Sequence, residues 1–491
     1  MKKIVAAVLI VLSALCAACG TADTTADLPT APLPAATSKT EVPVSWVCTT
    51  PNAPWQARES LSLTPGALPN ADISIDTTQQ GQEITGFGGA FNEKGWEALS
   101  VLTPDARSSV MKALFDPAEG ARFSICRVPI GASDYAVSRY TLNETGGDYD
   151  MHKFSIERDR EYLIPYIKAA QSFQPELQVW GSAWTPPTWM KTIHSFDGGS
   201  MKDDPAIYQA YALYLVRFVE DYRTEGINVF AVAVQNEPCI ERHYPTCLWT
   251  PAQYKTFITD HLGPLFAERQ LDADIMLGTL QDGDYTLFPL LLEDPKVSEY
   301  APLVGFQWDG IESVASTRKS FPDKQIYQTE TECGNFYWKA GFNPDRPPND
   351  WNYGRYTWDK VKEYFDRGVN AYMLWNMVLD EEGMSIDAVS PWPQNAAVTV
   401  DKTTARITYT PMFYAFKHFS YFVASGARYV SAGVSQNAVA FINPDGSLII
   451  QLQNPDDVPA AVRINVDGAT LTAELPALSW STLSVPAMPP G

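Results

Sequence analysis

The sequence predicts an α/β fold: a (β/α)8 TIM barrel with a small β-sandwich side domain built from both ends of the mature chain. Three observations predict it. Eight strand-like apolar runs alternate with helical intervals between residues 79 and 425, the pattern of parallel strands covered by crossover helices. After 425 the character changes to short strands with turn punctuation, such as AVAFIN-PDG-SLIIQLQN. The stretch at 46–78 has the same β character, so the two ends are expected to share one sandwich (46–78 with 426–491). At 491 residues the chain is long enough for one large and one smaller domain.

The elements follow in order. Lys2-Lys3, an apolar core and small residues before Cys19 read as a secretion signal over residues 1–19. Its Cys16-Ala17-Ala18-Cys19 ending resembles a bacterial lipoprotein processing site, with Cys19 as the lipidated residue. Residues 20–45 are rich in Thr, Ala and Pro and read as a tether. The expected location is therefore extracytoplasmic and bacterial, secreted or lipid-anchored at the cell surface. Barrel strands are expected at 84–91, 123–130, 178–184, 229–237, 275–280, 303–308, 325–330 and 371–376. Helices are expected at 103–115, 159–173, 206–225, 251–270, 358–367 and 411–423. Gly86, Gly88 and Gly89 match no phosphate-loop spacing and predict close backbone approach at the first strand.

A net charge of −21 excludes nucleic acid and anionic membrane surfaces as natural partners. Five His, no HExxH and no CxxC outside the expected signal's Cys16-Ala17-Ala18-Cys19 leave no basis for a protein metal site or cofactor. Fourteen Trp and 23 Tyr suit a groove that packs on the CH faces of sugars. Export permits disulfides. Cys239 and Cys247 bracket a short loop and are expected to bond, Cys126 is read as buried packing, and the pairing of Cys48 and Cys333 stays open.

Functional side chains of such barrels sit at the carboxyl ends of the strands. Reading off those ends gives Glu93, Arg127, Trp184, Asn236 with Glu237, Gln307-Trp308-Asp309, Glu330 with Glu332, and Trp375-Asn376. The stretch VFAVAVQNEP is the sharpest of these. Its apolar run ends in an amide, a carboxylate and a proline, which cannot continue a central strand, and burial there would raise the carboxyl's pKa. Two carboxylates with a neighbouring amide, one arginine and several tryptophans are the inventory for glycoside hydrolysis.

The stretches ITGFGGAFNE, FSICRVPIGASDY, GSAWTPPTWMK, VFAVAVQNEP, IYQTETECG, MLWNMVLDEEG and TPMFYAFKHFSYFV resemble glycoside hydrolase family 30 of the retaining clan, and within it the glucosylceramidase-like β-glycosidases. The resemblance implies Glu237 as general acid/base and Glu330 as nucleophile, with Asn236 on the sugar 2-hydroxyl and Arg127 keeping Glu330 ionised. It also implies that Trp184 and Trp375 line the first sugar site, that Glu93 grips sugar hydroxyls, and that Gln307 and Trp308 adjoin substrate. The chain departs from it at Glu93, where the family has Asp, and at Gln307-Trp308-Asp309, where the glucosylceramidases carry His-Trp-Tyr. The expectation is a retaining β-glycosidase acting on a β-glucosidic carbohydrate or glycoconjugate. Its rivals are an endo-acting β-1,6-glucanase or xylanase of the same family and an inactive surface glycan-binding lipoprotein.

Overall fold

The computed structural model describes residues 41–281, 285–331, 334–347 and 349–487. The expected signal, its Cys19 and the tether up to Thr40 lie outside the described residues, as do Glu332 and Cys333. Eight parallel strands close a barrel in chain order: Gly86–Ala90, Ile125–Ile130, Gln178–Ala183, Val229–Ala233, Asp274–Leu280, Leu303–Gln307, Gln325–Glu330 and Ala371–Asn376. Their runs are buried almost throughout, because helices cover the sheet outside and side chains fill it inside. The glycines of the first strand allow the approach expected of them. A Cβ on Gly88 would stand 1.8 Å from the Ile125 carbonyl oxygen.

Strand four is shorter than the sequence suggests. It leaves the ladder after Ala233, and Glu237 then adopts φ 51°. Its amide donates to the Thr279 carbonyl at 3.0 Å, while that of Asn236 donates to Ala183 at 2.6 Å. These bonds turn the chain out of the sheet and fix it over the barrel mouth.

Helix starts follow capping chemistry. Thr103, Asp204, Thr250 and Thr410 each accept a backbone N–H from the first turn, and each is followed by proline at the first helical position. Asp350 likewise caps the helix Trp351–Arg367, which therefore begins seven residues before the expected start at 358. The helix expected at 251–270 is divided by a π-helical segment, Phe257–Leu262. Pro264 follows directly and has no N–H to give. Helices Glu93–Ser100 and Ile311–Ser320 were not expected from the sequence.

The sandwich unites both ends of the described chain. Eleven strands join in one network, five between Val42 and Glu83 and six between Arg428 and Val485. Val42–Thr50 pairs antiparallel with Ser479–Val485, and Gln80–Glu83 pairs with Arg428–Val430. The amino-terminal share thus runs to Glu83, past the expected limit at 78. Val44, Trp46, Leu63, Ile450 and Leu483 help to form its own core.

Sandwich and barrel meet along two helices. Trp480 stacks on Trp351 with ring centroids 3.9 Å apart. His418, on the helix Pro411–Phe422, lies with Nδ1 2.7 Å from Thr482 Oγ1 and Nε2 2.9 Å from Thr49 Oγ1. Burial, aided by the charge of Lys417, pushes this imidazole down to about 3. The folded protein keeps it neutral, while the unfolded chain protonates it below about pH 6.5. Its stabilisation is full above that pH and lost as pH falls toward 3. Urea denaturation should show the wild type losing about 2 kcal/mol more between pH 7 and 5 than His418→Gln does.

Candidate active site

The barrel mouth holds a cavity of about 550 Å3 lined by Asp134, Trp184, Asn236, Glu237, Trp308 and Glu330, with Tyr244 and Trp392 among its walls. Beneath its floor lies Arg127, fully buried. Its Nη1 donates to Glu330 Oε2 at 2.8 Å, and its Nη2 donates to Asn236 Oδ1 at 2.6 Å and Ser182 Oγ at 3.0 Å. The guanidinium lies 4.3 Å from the ring centroid of Trp184 and 5.2 Å from that of Trp180, so aromatic faces stabilise the charge where water cannot.

Asn236 Oδ1 accepts three donors: Arg127, Thr279 Oγ1 at 2.8 Å and Gln307 Nε2 at 3.2 Å. That saturation fixes the amide and turns Nδ2 away from them, toward the cavity that Asn236 lines. Gln307 Nε2 also donates to Glu237 Oε1 at 2.8 Å and approaches Glu330 Oε2 at 3.4 Å. One amide nitrogen therefore touches both carboxyls. Glu237 further accepts from the Tyr244 hydroxyl at 3.3 Å, and Glu330 Oε1 from the Trp308 indole at 3.1 Å. Glu237 and Trp308 both have positive φ, 51° and 49°, a conformation unusual for such residues.

Burial is the largest influence on Glu237, Asp134 and Glu330 and drives each upward. Glu237 rises above its usual range, opposed first by the Gln307 amide and then by Arg127. Asp134 is pushed up to about 7, helped by the charge of Glu237. Glu330 is also pushed up, with Arg127 the strongest opposing influence. The three share few charges among them, and Glu330, ion-paired at 2.8 Å, is the member best able to stay ionised.

The structure brings together Glu237, Glu330, Asn236, Arg127, Trp184, Gln307 and Trp308, though not all in the roles expected. Arg127 and Gln307 do not line the cavity; both are fully buried and act through the carboxyls they touch. Trp375 is likewise absent from the lining and backs Trp184, stacked at 5.3 Å. Glu93 is not a cavity residue. It opens the helix Glu93–Ser100, accepts from Val137 N at 2.8 Å and pairs with Arg158 at 3.0 Å, so its carboxylate is spent on the frame. The expected Cys239–Cys247 disulfide is not formed. Cys247 is turned into the hydrophobic core, where burial pushes its thiol up to about 12, while Cys239 lies on the exposed side of the loop.

Asp134 and Tyr244 were missed. Asp134 stands just past strand two, in the FSICRVPIGASDY stretch, as a buried acid beside an aromatic, and that combination was the available signal. Tyr244 stands in a loop with no periodicity to read. Arg139 helps to hold these loops together, donating to Asp197 at 2.8 Å and to the carbonyls of His243 and Ile386 at 2.7 and 3.1 Å. Among the described residues, no group of three or more His, Cys, Asp or Glu is placed to hold a metal ion.

The family model for the glycosyl hydrolase family 30 TIM-barrel domain matches residues 84–423, and that for the family 30 beta sandwich domain matches 426–483. The lysosomal acid glucosylceramidase of Mus musculus is 27% identical over 420 residues, 79% of this chain and 79% of that protein. An endo-1,6-beta-D-glucanase of Neurospora crassa is 25% identical over 412 residues, 80% of this chain and 83% of that protein. The crystal structure of SrfJ from Salmonella typhimurium superposes with a TM-score of 0.82 at 23% identity, covering 91% of this chain and all of that one (100%).

Arg127→Met would strip the buried Glu330 of its cation. The substitution should destabilise the fold by about 3–5 kcal/mol at neutral pH. Part of that loss should return on acidification, because Glu330 can then take up a proton. Denaturant titrations of both proteins at pH 7 and pH 5 read this difference.

Proposed function

The chain belongs to glycosyl hydrolase family 30, and from that premise we propose that it removes a terminal β-linked glucose from its substrate with retention of configuration. The observation that carries this reading is the Gln307 amide nitrogen, 2.8 Å from Glu237 Oε1 and 3.4 Å from Glu330 Oε2. The sum of these distances bounds the gap between the two oxygens. That bound is compatible with the roughly 5–5.5 Å between the carboxyl groups of a retaining pair.

In the proposed reaction the Glu330 carboxylate attacks the anomeric carbon from below. The bond to the leaving oxygen breaks, its electron pair stays on that oxygen, and Glu237 supplies the proton. Water then attacks the glycosyl ester, gives its proton to Glu237 and displaces Glu330. Arg127 favours the charged form of Glu330, while Glu237 has no cation in hydrogen-bond contact among the described residues and is the carboxyl suited to hold the proton. The Nδ2 of Asn236 is free of the Arg127 cluster to meet the 2-hydroxyl. Asp134 lines the same cavity, with its Oδ1 buried and without a hydrogen-bond partner among the described residues. The Trp308 indole supplies Glu330 with a donor where the family's tyrosine is missing.

An endo-acting β-1,6-glucanase is the second reading, favoured by the Neurospora relative. Early products from polymeric β-1,6-glucan separate the two: glucose alone for terminal release, oligosaccharides for internal cuts.

Glu330→Ala should abolish turnover of an aryl β-glucoside and regain activity with azide, yielding α-glucosyl azide by a single inverting displacement. Rescue of Glu332→Ala in its place would move the nucleophile by two residues and sink the assignment. The pH profile offers a separate check. Gln307 stabilises the charged form of Glu237, so Gln307→Met should raise that pKa and shift the alkaline limb of kcat/KM to higher pH.

A further inference from the structure

A second cavity, of about 790 Å3, opens beside the first, between the loop after barrel strand seven and the helix Trp351–Arg367. Trp308, Asp309, Phe336 and Lys339 belong to the walls of both, so the two cavities adjoin along these residues. Buried groups wall the first cavity at Asp134 and Trp184. Trp375 is stacked behind Trp184. A substrate whose anomeric carbon meets Glu330 can extend from there past Trp308 and Asp309 into the second cavity.

The lining of that cavity states what it suits. Asn352, Arg355, Tyr356 and Asp359 follow one another at helical spacing and present one face of the helix to it. Tyr353 and Phe342 add ring surface. Rings suit the CH faces of pyranoses, while amides, guanidinium groups and carboxylates suit their hydroxyls. An alkyl chain laid over the same surface would desolvate those polar groups without pairing them.

We infer that the second cavity binds the leaving-group part of the substrate, and that this part is a saccharide of two or more sugar units rather than a lipid chain. The inference rests on the proposed release of terminal glucose and names the class of leaving group that the site accepts.

The test compares kcat/KM on 4-nitrophenyl β-glucoside, on β-1,6-linked glucose oligomers of two and four units, and on detergent-dispersed glucosylceramide. The four-unit oligomer should exceed the two-unit one by roughly tenfold. Tyr356→Ala and Arg355→Ala should each lower the four-unit value by roughly tenfold and leave the aryl glucoside within about twofold. No gain with length, equal losses on both substrates, or a preference for glucosylceramide that these variants do not alter would overturn the inference. In all three cases cleavage of the aryl glucoside shows that the proposed function stands. Failure to cleave any β-glucoside would overturn that reading and this one together.

Discussion

The active site depends on one buried charge. Arg127 has no solvent to stabilise it, so its cost must be met by what surrounds it: the carboxylate of Glu330, the amide oxygen of Asn236, the Ser182 hydroxyl and the ring of Trp184. Those contacts span barrel strands two, three and seven and the segment that follows strand four. A charge that every neighbour must satisfy fixes each neighbour in turn. Asn236 is oriented because its oxygen is taken, and Glu330 is held because it carries the countercharge. Gln307 extends the set to Glu237, so acid and proposed nucleophile belong to one hydrogen-bonded group. The two carboxyls differ in chemistry because one is ion-paired and the other is only hydrogen-bonded, inside a pocket that penalises charge on both.

A second layer of constraint keeps the mouth in shape. Glu237 and Trp308 stand in left-handed backbone conformations that the surrounding hydrogen bonds hold, the Glu237 amide on Thr279 and the Trp308 carbonyl under the Tyr364 hydroxyl. Lys191, buried with its ammonium within 2.9 Å of Thr185 Oγ1 and of the carbonyls of Ser195, Phe196 and Thr246, ties the loop after strand three to the loop that carries Tyr244. Arg139 bridges the same two loops to the one after strand eight. Loops without regular structure are thereby fixed by cations, beside the backbone bonds that Thr246 gives to Phe196 and Leu248 gives to Gly199.

The barrel was legible because its strands announce themselves by composition, and the two main carboxylates because each closes an apolar run. The role of Arg127 toward Glu330 came from the family resemblance alone, because a cation inside a buried strand needs a partner but does not say which one. What failed to show was direction. Glu93 stands at the expected distance past strand one, but the chain turns straight into a helix there and aims the carboxylate at Arg158. Trp375 and Gln307 end their strands as read, yet they face the supporting layer and not the cavity. Cys239 and Cys247 are near in sequence, but one loop residue turned inward and the other outward removes the bond that spacing suggested. Asp134 and Tyr244 were hidden because loop conformation depends on long-range ties such as Arg139, which no local pattern encodes.

The account's central claim is that Glu330, held by Arg127, receives the sugar. Treatment with 2-deoxy-2-fluoro-β-glucosyl fluoride, which slows breakdown of a glycosyl ester, followed by fragmentation of the labelled peptide, tests it most directly. The account predicts one fluoroglucosyl group on Glu330 and none on Glu332. A label on Glu332, or no trapped ester in a protein that turns over β-glucosides with inversion, would contradict it.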